Sequence, residues 1–230
     1  MGTKNMKFKN VKCVFPISDS RSLCKIECHN YDIEKHYQIY FLNKNKEIVA
    51  YFEHSMPFSV EQLNVNSCNL FLLYDISNDL YQVVKMKNFR EYDILYTYQE
   101  VVDEDEYYAV RNNDVWGFLS LDGVEIVKPQ FEKYRCYSEY IAVRKNKKWG
   151  FLDLNGNIVI DIKYFRVHDF CGDYAVVHSK EGYFTLIDKK GNVILASNDR
   201  PIFNLGSGEI LLKDLDTDDY ELVKLKEQNL

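Results

Sequence analysis

The chain has 230 residues, 46% hydrophobic and 15% aromatic, which supplies apolar surface for a real core and excludes a disordered chain. Its 29 Lys+Arg against 35 Asp+Glu leave a formal charge of -6, without the clustered basic surface that phosphate neutralisation needs, so nucleic acid is excluded as a partner. Four Pro and ten Gly exclude collagen-like and linker-like classes, and no apolar run approaches the roughly 18 residues of a membrane span.

In chain order, the opening MGTKNMKFKNVKCVF carries no secretory apolar stretch. Phe8 to Phe15 reads as a strand, with Val11, Cys13 and Phe15 alternating. Cys24, Ile26 and Cys28 alternate in the same way, so each Cys reads as a small buried hydrophobe. Cys24, Cys28 and His29, with His36 nearby, lack the paired four-ligand spacing of a zinc site. Six Cys without a signal segment suit a reducing cytoplasm better than a disulfide framework.

Internal repetition organises the rest. Trp116-Gly117-Phe118-Leu119 recurs as Trp149-Gly150-Phe151-Leu152, Ala109-Val110-Arg111 as Ala142-Val143-Arg144, and Asp122-Gly123 as Asn155-Gly156, all 33 residues apart. A third copy keeps that spacing at Ala175-Val176. It then replaces Trp-Gly by Phe184-Thr185 and places its turn at Lys190-Gly191, as if two residues were inserted around Ser179 to Gly182 in a lengthened hairpin. Fainter copies flank these. Phe71 to Lys85 matches Ile210 to Lys224 at an offset of 139, and a first copy runs from Leu23 to Phe52, with Tyr40 to Asn43 and Glu47 to Val49 in corresponding places.

Each unit predicts three short strands. In the clearest copy they are Tyr140 to Arg144, Lys148 to Leu154, and Asn157 to about Phe165, separated by the turns Lys145-Asn146-Lys147 and Asn155-Gly156. Arg144, Lys145, Lys147 and Lys148 then belong to a solvated turn. No segment carries a capped helical stripe.

The stretch KKWGFLDLNGNIVI (Lys147 to Ile160) resembles the WG-repeat, or KWG-repeat, family. The resemblance is good from about Tyr107 to Ala196, with Val115 in place of Lys in the first clear copy. It implies a repeat array that presents a surface to other macromolecules. Trp116, Gly117, Gly123, Trp149, Gly150, Gly156, Phe184 and Gly191 are expected to be structural anchors. The Trp indoles would pack between units, and each following Gly would let a neighbouring strand approach.

The expected architecture is all-β: tandem antiparallel three-stranded β-meanders of about 33 residues over 1–230, as a propeller-like closed ring or an open twisted array. Residues 20–104 hold degenerate repeats, 105–206 the clear ones, and 207–230 an incomplete two-stranded last unit. Residues 1–17 would supply the missing strand if the ring closes.

No catalytic constellation is visible. His54, His168 and His178 occur singly, and His168-Asp169 beside Cys171 falls in an expected connecting loop. No phosphate-cradling Gly motif, metal site or cofactor is expected. The acidic runs Asp103, Glu104, Asp105, Glu106 and Asp214, Asp216, Asp218, Asp219 lack an EF-hand pattern. They read as solvated loops whose functional use, through Asp103 to Glu106 and through Asp216, Asp218 and Asp219, would be to steer a basic protein. The sequence thus predicts a non-catalytic, cytoplasmic, bacterial-type protein-binding scaffold. A toxin-neutralising immunity or inhibitor protein and a glycan-binding module are the alternatives.

Overall fold

In the computed structural model the described residues are 11–16, 23–30, 36–54, 58–63, 69–137, 139–180 and 183–225. Among them every regular element is a strand. The N-terminal end of the expected first strand, Cys68 and the inserted Glu181-Gly182 lie outside the described residues.

Six antiparallel meanders follow one another. The first sheet holds β1 (Val11–Phe15), β2 (Cys24–Asn30), β3 (His36–Leu42) and β4 (Ile48–His54); the second β5 (Phe58–Gln62), β6 (Leu70–Asp75), β7 (Leu80–Met86) and β8 (Tyr92–Tyr98). The third holds β9 (Glu100–Asp103), β10 (Tyr107–Asn112), β11 (Val115–Ser120) and β12 (Glu125–Phe131); the fourth β13 (Lys133–Cys136), β14 (Ile141–Lys145), β15 (Lys148–Leu152) and β16 (Ile158–Tyr164). The fifth holds β17 (Arg166–Cys171), β18 (Tyr174–Lys180), β19 (Tyr183–Asp188) and β20 (Val193–Ser197), and the sixth β21 (Ile202–Gly206), β22 (Glu209–Lys213) and β23 (Tyr220–Lys224). Each of the first five units therefore has the three expected strands and one more in front of them, and the sixth has the two expected strands and one more in front. The N-terminal strand does not complete the last sheet: β1 pairs with β2, Val14 opposite Ile26, and the last sheet draws its third strand from Ile202–Gly206.

Two compact units make up the chain, Met1–Asn113 with Leu119–Glu125, and Asp114–Phe118 with Ile126–Leu230. In the first, the facing sides of sheets one and two bury Leu23, Ile39, Phe41, Phe52, Val60, Phe71 and Val84, with the Phe41 and Phe71 ring centroids 4.7 Å apart. In the second, Ala142, Trp149, Phe151 and Ile160 of the fourth sheet share a core with Val167, Ala175, Val177 and Ile187 of the fifth. The fifth sheet's other side, Val176 and Leu186, packs with Ile202 and Ile210 of the sixth. Burying one such side chain stabilises the fold by about 1.5–3 kcal/mol.

Register explains the motif. Trp149 lies opposite Tyr164 and Phe151 opposite Ile160, so three residues of β16 span the single Gly150 of β15. A Cβ on Gly150 would stand 2.6 Å from the Ile160 carbonyl oxygen and 2.8 Å from Asp161 backbone atoms. One on Gly117 would stand 2.4 Å from the Val127 oxygen and 2.5 Å from the Pro129 nitrogen. Gly150 thus makes room for a bulge in the following strand, and Gly117 makes the same room for the backbone of Val127, Lys128 and Pro129, the last of which cannot donate to a ladder.

Where that residue is not Gly, the bulge is missing. Tyr40, Gln82 and Thr185 face Tyr51, Thr97 and Ala196 in continuous ladders. A second bulge, one residue nearer the turn, recurs in the first, second, fourth and fifth sheets.

Turn chemistry repeats as well. Asp153 Oδ1 accepts from the backbone N–H of Asn155 and Asn157, Asp188 Oδ1 from Lys190 and Asn192, and Asn43 Oδ1 from Asn45 and Glu47. The turn of the expected first copy is thus closed by the same bonds. At the offset of 139, Leu73 faces Gln82 as Leu212 faces Glu221, and Asp75 and Asp214 cap their turns through Ser77 and Asp216.

One equivalence shifts. Ala142 pairs with Phe151, but Val176, not Ala175, pairs with the matching Leu186. The fifth sheet's β18 therefore follows β14 at 34 residues rather than 33. Its β19 follows at 35, and the hairpin irregularity between His178 and Lys180 absorbs the difference.

Candidate binding site

Within the first unit, β4, the hairpin β6–β7 and the segment from Arg90 into β8 enclose a cavity of about 510 Å³. Its walls are largely aromatic: Tyr51, Phe52, Phe58 and Tyr92, with Leu73 and Ile94. Phe52 is buried and its ring lies 5.5 Å from that of Tyr92; His54 lies 6.0 Å from Phe58. A cavity of this size falls in the range of small-ligand and side-chain pockets, although this one is about as polar as apolar.

The polar groups are Glu53, His54, Asp75, Gln82 and Arg90. Strand alternation places Tyr51 and Glu53 on one side of β4, where the Tyr51 hydroxyl donates to Glu53 Oε2 at 2.6 Å and Gln38 Nε2 donates to Oε1 at 2.9 Å. Burial first, then the Glu53 carboxylate, raises the Tyr51 phenol above its ordinary range. The side-chain bond from Asn78, helped by the backbone N–H groups of Ser77 and Asn78 and by His54, outweighs desolvation and keeps the Asp75 carboxyl below its usual value. Burial, then the Asp75 charge, raises Tyr92. The Arg90 guanidinium stands 5.5 Å from the Tyr51 ring centre and 5.4 Å from that of Phe89, and it forms no ion pair among the described residues.

Alongside runs β8, whose one ladder partner among the described residues is β7. Tyr92, Asp93, Ile94 and Leu95 are exposed in succession, and Phe89 is exposed just before them. Lys87 N–H donates to the Glu91 carbonyl. In the alternating antiparallel pattern this places Tyr92 and Ile94, opposite Met86 and Val84, at non-bonded pairs, so their backbone groups point to the open edge.

The expected anchors are structural. Trp149 is buried, with the Arg135 guanidinium 4.8 Å over its ring. Trp116, half-buried, meets Tyr134 edge-on at 4.8 Å. Tyr134 opens the next sheet 18 residues on. Val167 and Ile202 stand at the same distance from Trp149 and Phe184 and share their core clusters. Gly123, Gly156 and Gly191 take positive φ in the turns. A Cβ on Gly123 or Gly156 would press on Leu70, or on Ile126 and Val127, of the preceding sheet.

The acidic runs are turns. Asp103 Oδ1 accepts from Asp105 N–H, and Glu104 N–H bonds the Tyr107 carbonyl, with Glu106 beside them. Asp218 pairs with Lys213 across the β22–β23 hairpin, while Asp216 and Asp219 are exposed.

His168 and Asp169 lie in strand β17 rather than a loop, because Val167 and Phe170 pair with Val177 and Ala175. His168 meets His178, Nε2 to Nε2 at 3.3 Å, not Cys171. Burial first, then Arg135 and Arg166 at His168 and His168 and Arg166 at His178, lowers both imidazoles. Depressed His groups stabilise the fold above their unfolded value of about 6.5 and less as pH falls through the folded values. The melting temperature should therefore drop as pH is lowered from 7.5 to 5.5, and His178→Phe should shrink that drop. An equal drop in the variant would assign it elsewhere.

The architecture defines a protein built from tandem β-meander repeats. Residues 116–149 and 149–179 match the family described as WG containing repeat, so the two central Trp-Gly units are repeats of that type. No curated protein matches the sequence. Among solved structures, the chain is similar to BamB from Moraxella catarrhalis at 9% identity, covering 93% of this chain and 83% of that one, with a TM-score of 0.33. It is also similar to Kluyveromyces lactis Hsv2p at 10% identity, covering 95% and 76%, with a TM-score of 0.35.

Proposed function

We propose that the chain is a non-catalytic protein-binding module that takes an extended segment of a partner along β8. The supporting observation is the open, apolar edge of that strand. Among the described residues the backbone groups of Tyr92 and Ile94 on the side away from β7 have no ladder partner, so they can form a ladder with an added strand, and side chains of the added segment find pockets alternately on either side. Among the other outermost strands, β12, β16 and β20 have no comparable run of exposed apolar residues, whereas β21 exposes Phe203 and Leu205 and β23 exposes Tyr220 and Leu222; the cavity beside β8 is what favours that edge. Free thiols at Cys24, Cys28 and Cys171 fit a cytoplasmic setting. The acidic turns at Asp103–Glu106 and Asp216–Asp219 fit steering of a basic partner.

Peptides of about twelve residues selected by display against the full chain test the reading. Bound peptide should slow amide exchange at Tyr92 and Ile94, and Ile94→Pro, which removes one donor and blocks the edge, should weaken binding at least about tenfold. Selected peptides that protect other strands and bind Ile94→Pro unchanged would refute it.

A further inference from the structure

The cavity beside β8 has a charge and ring arrangement that selects its occupant. Two carboxylates, Glu53 and Asp75, stand against one guanidinium, Arg90, among four aromatic rings. An anionic group entering would meet both carboxylates. A purely apolar group would strip water from Glu53 and Asp75 and return nothing to them. A cation gains from both features, since ring faces attract it and carboxylates accept its hydrogen bonds. Arg90 already shows the preference: its guanidinium rests on the Tyr51 and Phe89 rings.

Resting on the reading of β8 as the docking edge, we propose that the cavity takes a basic side chain of the docked segment, a lysine ammonium or arginine guanidinium, seated on the Tyr51 ring beside Tyr92 with Glu53 and Asp75 as counter-charges, and that Arg90, whose guanidinium rests on the Tyr51 ring, competes for this place while no partner is bound. Tyr92 and Ile94 line both the cavity and the open edge, so one segment lying along β8 can reach into the cavity with a side chain. Glu53 is held in place by Gln38 and Tyr51, and Asp75 by Ser77 and Asn78. The counter-charges are therefore pre-positioned, which lowers the cost of ordering them on binding. Arg90 is the movable element, since among the described residues its guanidinium has ring contacts and no ion pair.

The test uses butylammonium, butylguanidinium and butyrate as probes, followed on the methyl resonances of Leu73 and Ile94 in the full chain. Both cations should shift these methyls saturably and butyrate should not. Glu53→Gln keeps an acceptor for the Tyr51 hydroxyl and should weaken the cations about tenfold. Arg90→Ala removes the internal competitor and should tighten them about three- to tenfold. A merely structural Arg90 would give no change, and an anion site would give the opposite sign. Preference for butyrate, weaker cation binding in Arg90→Ala, or no saturable shift even in that variant overturns the proposal. If selected peptides still protect Tyr92 and Ile94 in any of those cases, the docking edge survives and only the cation assignment falls. If peptides fail as well, both fall.

Discussion

Gly150→Ala is expected to lower the unfolding free energy by about 3 kcal/mol, and Gly150→Val by more, because the new carbon meets backbone rather than a side chain that can swing away. A Cβ there stands 2.6–2.8 Å from Ile160 and Asp161 backbone atoms, so relief requires the whole of β16 to move off its neighbour. For a chain of this length that loss corresponds to a fall of roughly 6–12 °C in melting temperature. The fifth sheet points to a rescue. It has Thr185 at this position, and Ser197 follows Gly191 by six positions, whereas Tyr164 follows Gly156 by eight. The two missing residues are those of the bulge. Gly150→Thr combined with deletion of Asp161 and Ile162 should therefore recover much of what Gly150→Thr alone loses. Calorimetric melts of the three proteins decide the matter; a deletion that only adds to the damage would mean that the bulge and the glycine are not coupled.

That coupling shows what a sequence can carry. Period, turns and Trp-Gly pairs are legible because one module is copied, and copies share local rules: Asp153 and Asp188 cap the same turn with the same atoms. Even the faint offset of 139 holds, since Tyr74 reaches Asp79 as Lys213 reaches Asp218. The first strand of each unit is harder to read. β9 and β13 have four residues each, and β13 runs Lys133-Tyr134-Arg135-Cys136, too short and polar for an alternation to stand out. The shift from 33 to 34 in β18 hides for another reason: Ala175-Val176 and Val176-Val177 satisfy the same pattern, and only pairing with Leu186 distinguishes them. The cavity leaves no local signature. Its walls come from separate stretches, Tyr51 to His54, Phe58, Leu73 and Asp75, Gln82, and Arg90 with Tyr92 and Ile94, in copies whose landmarks have eroded. Exposure of Tyr92 and Ile94 is likewise set by what packs nearby. An alternating apolar strand reads the same whether or not a neighbour covers it.

The other large effect separates what builds the first unit from what it uses. Phe71 is fully buried, with its ring 4.7 Å from Phe41 and 5.5 Å from Phe52, at the centre of the core between sheets one and two. Phe71→Ala should cost about 3–5 kcal/mol, the transfer term of a phenyl ring plus the cavity it leaves among rigid aromatic neighbours. Phe52 faces both this core and the binding cavity, so the same change should loosen the pocket wall and weaken peptide binding as a consequence. Tyr92, by contrast, is 36% exposed at the cavity rim. Its replacement by alanine should cost under about 1 kcal/mol of stability, yet lower peptide affinity about tenfold, as an aromatic anchor at a contact does. Urea midpoints read beside peptide titrations distinguish the two residues: Phe71→Ala must move both quantities, Tyr92→Ala only the second. Were Tyr92→Ala to unfold the chain as readily as Phe71→Ala, its ring would belong to the core, and the cavity would be a gap in packing rather than a place for a partner.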